Sequence, residues 1–218
     1  EGRGRAGKGG QLLLNKETGN WYLELSSLIG DRTNLFAGQQ YHGYALTKAK
    51  DSIIVRPVIA WKGENLKVAL GAEGNVISDA IVTSDDVSVS DRMGYGLTTS
   101  WTQDALVINA NAARMDAEDE TDTTLGANLL WHNAGLGYIY AINDISSANL
   151  SNTSADFGNM VGKHTINTVY ASYKIPSVLD LSNFDIYLGA YWSQLNADSG
   201  EVDNIDRYGG RVRFKYFF

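Results

Sequence analysis

The sequence predicts an all-β chain, a closed antiparallel transmembrane β-barrel of about twelve strands. Three observations lead there. Segments that alternate apolar and polar residues recur along the whole chain, no apolar run reaches the length of a spanning helix, and short connections alternate with longer ones. The segment from Tyr208 to Phe218 shows the alternation most clearly. Tyr208, Val212, Phe214, Tyr216 and Phe218 share one face, and Arg207, Arg211, Arg213 and Lys215 share the other. A wall that separates lipid from water needs this pattern. A water-soluble β-sandwich, the competing all-β reading, rarely sets a row of cations opposite a row of aromatics.

Composition narrows the choice. The 218 residues are 44% hydrophobic and 20% charged, enough apolar content for one folded domain. Proline occurs only 2 times and glycine 23 times, which suits many strands joined by tight turns. A transmembrane helix needs roughly 20 consecutive apolar residues, and the longest runs here, such as Ser52–Trp61, are interrupted well before that. If the chain crosses a membrane, it does so with strands. Cysteine is absent, which removes disulfides, thiol catalysis and cysteine-ligated metals. Opening on a polar Gly/Arg stretch at Glu1 is expected of an exported chain without its leader. The net charge of −7 argues against a nucleic-acid partner.

Strand-like alternation or propensity marks Gln11–Asn15, Asn20–Ile29, Asn34–Leu46, Ser52–Trp61, Leu66–Val76 and Met93–Thr102 in the first half. Ala105–Arg114, Thr124–His132, Leu136–Asn143, Thr165–Lys174, Phe184–Gln194 and Arg207–Phe218 follow. Residues Glu1–Gly10 are basic and Gly-rich, expected as a flexible tail, part of the first strand or a lumen-entering segment of a single barrel domain, 1–218. In Ser52–Trp61, Ile53, Val55, Ile59 and Trp61 oppose Arg56, while Pro57 is expected to need a bulge. Leu66, Val68 and Leu70 oppose Lys67, Gly71 and Glu73 in the next segment. Leu106, Ile108, Ala110 and Ala112 oppose Asn109 and Asn111; Phe184, Ile186, Leu188 and Trp192 oppose Asp185, Tyr187 and Tyr191. In this assignment no Lys or Arg faces lipid at the midplane. Only Asn34–Leu46 carries large residues on both faces.

The connections carry independent information, because bacterial barrels have short periplasmic turns and longer external loops. Counted back from a periplasmic C-terminus, the short set is Ser177–Asn183, Asn133–Gly135, Gln103–Asp104, Lys62–Asn65 and Gly30–Thr33. The external set is Leu195–Asp206, Ser146–His164, Met115–Thr123, Ile77–Arg92 and Thr47–Asp51. The hairpin through Lys16–Gly19 breaks the rule, being short where a long loop is expected. Tryptophan adds a further expectation. Trp61, Trp101 and Trp131 fall near the periplasmic interface, Trp21 and Trp192 near the outer one, with Phe184 and Phe218 in the lower girdle.

The ending Asp206-Arg207-Tyr208 through Phe218 resembles the C-terminal assembly signal of Gram-negative outer-membrane proteins. With Ala171-Ser172-Tyr173-Lys174, which opens a similar penultimate hairpin, it is also similar to the small monomeric porins specific for oligogalacturonate or sialic acid. That resemblance implies twelve strands, a monomer, and two tracks of basic residues in the lumen. It implies residence in the bacterial outer membrane, with outer-membrane lipid, lipopolysaccharide and the barrel-assembly machinery as partners.

The residues give a matching functional expectation. Arg207, Arg211, Arg213 and Lys215, with Arg56 and Lys67 from another part of the wall, are candidate pore-lining cations that select small hydrophilic anions such as acidic oligosaccharides. The plainer alternative pairs them with Glu24, Glu73 and Asp185 to fill a closed structural, adhesion or resistance barrel. Tyr187 and Tyr191 are candidates to stack on sugar rings. An outer-membrane hydrolase would need a serine-histidine or aspartate-histidine set. His42, His132 and His164 lack a serine in register, and Asp85-Asp86 lacks a matching Asp/His pair. No enzyme activity, metal or cofactor is expected. The acidic run Asp116, Glu118, Asp119, Glu120 and Asp122 is expected as a solvated outer loop, or as a site for divalent cations shared with lipopolysaccharide phosphates.

Overall fold

A computed structural model describes residues 9–30, 40–41, 44–49, 52–83, 91–117, 120–146, 161–198 and 204–216. Its strands are β1 (Gly9–Thr18), β2 (Trp21–Gly30), β3 (Gln40–Tyr41), β4 (Tyr44–Ala49), β5 (Ser52–Lys62), β6 (Leu66–Asn75) and β7 (Ile81–Thr83). They continue with β8 (Met93–Gln103), β9 (Leu106–Asp116), β10 (Glu120–Trp131), β11 (Ala134–Ile145), β12 (Gly162–Ile175), β13 (Phe184–Ala197) and β14 (Ile205–Tyr216). No α-helix occurs among the described residues; one 3₁₀ turn, Val178–Asp180, joins β12 to β13.

One antiparallel sheet of 11 strands runs β1-β2-β5-β6-β8-β9-β10-β11-β12-β13-β14. Its regularity follows from the even alternation of the sequence, which lets every adjacent pair keep a single register. Pro57 needs no bulge: the β5–β6 ladder omits Arg56 and Pro57 and resumes at Val58↔Gly71 without a shift. Pro57 lies opposite Leu25 of β2 on the other side.

The predicted spanning strand Asn34–Leu46 is replaced by two short strands, β3 and β4, separated from the large sheet. β2 pairs directly with β5, from Trp21↔Trp61 to Gly30↔Ser52. A strand that spans a bilayer needs about 9–11 residues, and neither β3 nor β4 reaches that. Instead β4 pairs with β7, so the connections 31–51 and 76–92 share a three-stranded sheet.

This change corrects the first third of the predicted topology. Gly30 ends β2 opposite Ser52 of β5, so the predicted turn Gly30–Thr33 and loop Thr47–Asp51 do not lie on opposite sides of the sheet; residues 31–33 and 50–51 lie outside the described residues. The hairpin after β1 now falls on the short side, where its length is expected. Turns 19–20, 63–65, 104–105, 132–133 and 176–183 share one end of the sheet; connections 31–51, 76–92, 117–119, 146–161 and 198–204 share the other. All three two-residue turns place their first residue in the left-handed region, Gly19 at φ 55°, Asp104 at φ 50° and His132 at φ 49°. Trp21 moves with its strand. It stands beside Trp61 at the short-turn end, with Trp101 and Trp131 on β8 and β10, rather than at the outer interface. Phe184 extends this aromatic belt, 6.4 Å from Phe214 and 6.3 Å from Tyr216 between ring centroids. Phe218 lies outside the described residues.

The register assigns every side chain to one of two faces. One face carries Leu14, Leu25, Ile59, Leu70, Leu97, Leu125 and Phe214; the other carries Glu24, Arg56, Glu73, Asn109, Asp122, Asn143 and Asp185. Burial is inverted relative to a water-soluble protein. Glu120 and Asp185 on the polar face are each 5% exposed, whereas Leu14, Leu70 and Phe214 on the apolar face are 56%, 52% and 66% exposed. An apolar surface that wide and continuous has no place in water. Lys16, Arg114 and Lys163 do lie on the apolar face, but toward strand ends, and Arg114 is ion-paired with Asp116 at 2.7 Å.

The sheet is an open series in the described residues, with β1 and β14 as its edges, rather than the predicted closed ring. Eleven alternating strands leave both edges running toward the short-turn end. Pairing them antiparallel takes one further strand between them.

The face assignment has a direct consequence for stability. Leu125→Arg places a cation mid-strand on the apolar face and is expected to cost about 2–4 kcal/mol in lipid vesicles. Thr124→Arg, one residue away on the polar face, should cost far less. Urea unfolding of both variants measures the difference, and equal losses would contradict the assignment.

Candidate functional site

The polar face divides into two chemically different walls. On β1–β11 the charges are largely matched locally. Arg56 forms an ion pair with Glu73 through its Nε. Tyr22 donates its hydroxyl to Glu24, and Lys62 stands 3.7 Å from Glu17 and 5.5 Å from the centroid of the Tyr22 ring. Asn109 Nδ2 donates to Asn128 Oδ1 at 2.9 Å.

At the loop end of this wall a tighter cluster forms. Arg92 Nη2 donates to Glu120 Oε2 at 2.9 Å, and the two side chains are 11% and 4% exposed. Asn143 Nδ2 bridges Glu120 Oε1, at 3.0 Å, and Asp122. Arg92 also reaches Met115 Sδ at 3.3 Å. Burial lowers the Arg92 pKa from its ordinary value, opposed by the charges of Glu120 and Asp122. The acidic run is therefore not a solvated loop throughout. β9 ends at Asp116 and β10 begins at Glu120, so Glu120 and Asp122 are strand residues on the polar face. Glu118 and Asp119 lie outside the described residues.

The wall formed by β12–β14 is different. Registers Asp185↔Lys215, Tyr187↔Arg213, Gly189↔Arg211 and Ser193↔Arg207 put all four β14 cations on the polar face, as expected. Lys174 joins them opposite Tyr187. Five cations thus share this wall with one carboxylate, Asp185. Lys174 Nζ reaches Asp185 Oδ2 at 2.8 Å, and Ser177 N and Tyr187 Oη donate to the same carboxylate at 3.3 and 3.4 Å.

The expected sites are distributed unevenly across the sheet. Arg56 and Lys67 stand on β5 and β6, third and fourth in strand order, and β14 is eleventh, so pairing does not bring the two basic groups together. Lys67 stands in register with Lys62. Tyr187 has its ring beneath Lys174 Nζ, 5.8 Å from the centroid. Tyr191 stands opposite Tyr170, a residue that the sequence analysis passed over. Lys174 was named only within a resemblance motif, and Glu120 and Asp122 only within an acidic run; the pairing of distant strands is what reveals their partners. Of the histidines, His132 occupies a turn with its ring 5.0 Å from that of Trp131, and His164 is buried on the polar face. His42 and Asp85-Asp86 lie outside the described residues.

A family model described as "Porin-like glycoporin RafY" matches residues 1–218. The chain belongs to that family. No curated protein matches it. Glycoporin membership makes the chain one of a family of outer-membrane channels rather than of enzymes, in agreement with an all-β sheet whose apolar face is exposed. It also accords with the absence, among the described residues, of any helix long and apolar enough to cross a membrane.

The Arg92–Glu120 pair holds the loop ends of β8 and β10 in this glycoporin fold. Glu120→Gln removes the carboxylate charge that Arg92 Nη2 donates to, leaving Asp122 as a neighbouring negative charge. The expected loss is about 3 kcal/mol, near the lower end for breaking a buried pair. Urea midpoints of the vesicle-embedded protein test this, and an unchanged midpoint would mean that the pair is not structural.

Proposed function

We propose that this chain forms a closed, water-filled outer-membrane channel through which small hydrophilic solutes diffuse passively, with a preference for anions such as acidic oligosaccharides. The observation that carries the reading is the charge imbalance on β12–β14, five cations against an already engaged Asp185. Cations along a wall replace part of the hydration that an anion loses on entering. The opposing charges on β5–β11 are largely matched in pairs, so the field across the lumen points from one wall. The family description as a glycoporin supports a sugar as the solute.

Closure completes the lumen. A twelfth strand between β1 and β14 would satisfy both edges and leave an even number of antiparallel strands, as bacterial single-chain barrels have. A ring of that size is wider than the eight-stranded barrels that side chains fill. A monomer is the state we propose, since a closed ring needs no partner strand to satisfy its backbone. The continuous apolar face takes lipid and lipopolysaccharide as its surroundings, and the last strand is the element offered to the assembly machinery.

Reconstitution in a planar bilayer under a salt gradient tests the reading. The wild-type chain should give discrete conductance steps with an anion-selective reversal potential. Replacing Arg211, Arg213 and Lys215 together by Gln should move that potential toward zero while the steps persist. A folded barrel that stays electrically silent would favour the structural alternative, and unchanged selectivity in the triple variant would remove these cations from the filter.

A further inference from the structure

The polar face of β11–β14 carries a row of four residues in register, Gly137, Tyr170, Tyr191 and Gly209. The two tyrosines face each other across the β12–β13 pair, and each has a glycine on its far side. A Cβ on Gly209 would lie 2.7 Å from Tyr191 Cε1 and 3.0 Å from its Oη. A Cβ on Gly137 would overlap Tyr170 Cζ and Oη. The rings therefore fold away from each other, each lying over the bare backbone of the neighbouring strand. Glycine in a strand interior forfeits packing and costs backbone entropy, and a covering aromatic ring offsets that. It also fixes the ring. One face is held against the wall, and the other is turned to the space that the polar face borders; Tyr191 is still 47% exposed.

The flanking rows supply polar groups. On one side Arg211 stands opposite Gly189, which stands opposite Ser172; on the other Arg207 stands opposite Ser193, whose hydroxyl is 2.8 Å from that of Thr168. A flat aromatic floor between two arginines matches a pyranose. Its C–H face lies on a ring, and its hydroxyl or carboxylate oxygens reach a guanidinium fork. We infer that Tyr170 and Tyr191 form a stacking platform for pyranose units of an acidic oligosaccharide, with Arg207 and Arg211 holding its carboxylates. The platform deepens the channel reading and rests on it for solute access. Tyr187, whose ring lies under Lys174, is not part of it.

Calorimetric titration of the folded full-length chain in detergent with trigalacturonate and with maltotriose tests the platform. Trigalacturonate should bind, and more tightly than maltotriose. Tyr170→Leu with Tyr191→Leu should weaken it by about tenfold, the scale expected of two ring contacts. Gly209→Ala keeps both rings and every charge but lifts Tyr191 off the wall, so it should weaken binding as well. Arg211→Gln should narrow the preference for the acidic sugar. Full affinity in the double leucine variant, or no binding of either sugar by the wild type, would overturn the platform. Conductance read in parallel separates the two ideas: steps without sugar binding contradict the platform alone, and binding without steps contradicts the open channel alone.

Discussion

Backbone hydrogen bonding is the constraint on which the structure depends. In hydrocarbon, an unpaired N–H or C=O costs several kcal/mol, so a chain without a long apolar helix can cross only as a continuous ladder of strands. Ten successive antiparallel pairings meet that demand from β1 to β14. Because side chains alternate along each strand, one register error would turn a whole strand's apolar set toward water. The unbroken separation of apolar and polar rows is thus a consequence of the ladder as much as of composition.

Function follows from how the polar face uses its charges. On β5–β11, Arg56 and Arg92 are each bound to a carboxylate, so their charge is spent on holding the wall together. On β12–β14 five cations share the polar face with the single carboxylate Asp185, the imbalance on which the proposed solute preference rests. Glycines serve both ends. Gly137 and Gly209 give up side chains so that Tyr170 and Tyr191 can lie flat beside Arg207 and Arg211. Structural pairing is visible in the Arg56–Glu73 and Arg92–Glu120 pairs, and the proposed solute selection belongs to a different region of the same sheet.

Much of this was legible beforehand, because it is local. The faces of β14, β13, β9, β6 and β5 were assigned from alternation alone, and the cations of β14 fell where the register puts them. What depends on pairing between distant residues was not legible. Asn34–Leu46 has strand propensity, and it does form strands, but its partner is the connection 76–92 rather than β2. Two signals pointed the other way: large residues on both of its faces, and the misplaced short hairpin at Lys16–Gly19. Trp21 was misassigned for the same reason. Glu120 and Asp122 read as loop acids because their run is continuous in sequence, whereas β10 already begins at Glu120 and makes them strand residues beside Arg92 and Asn143.

The central claim is that one face of this sheet borders water within a membrane while the other meets lipid. The sequence has no cysteine, so single cysteines can be placed without background. Along β9 the most direct measurement is labelling by a membrane-impermeant maleimide after reconstitution in lipid vesicles. Cysteines replacing Asn109 and Asn111 should react, and those replacing Ile108 and Ala110 should be protected. Equal reactivity at all four positions, or the reverse alternation, would contradict the account.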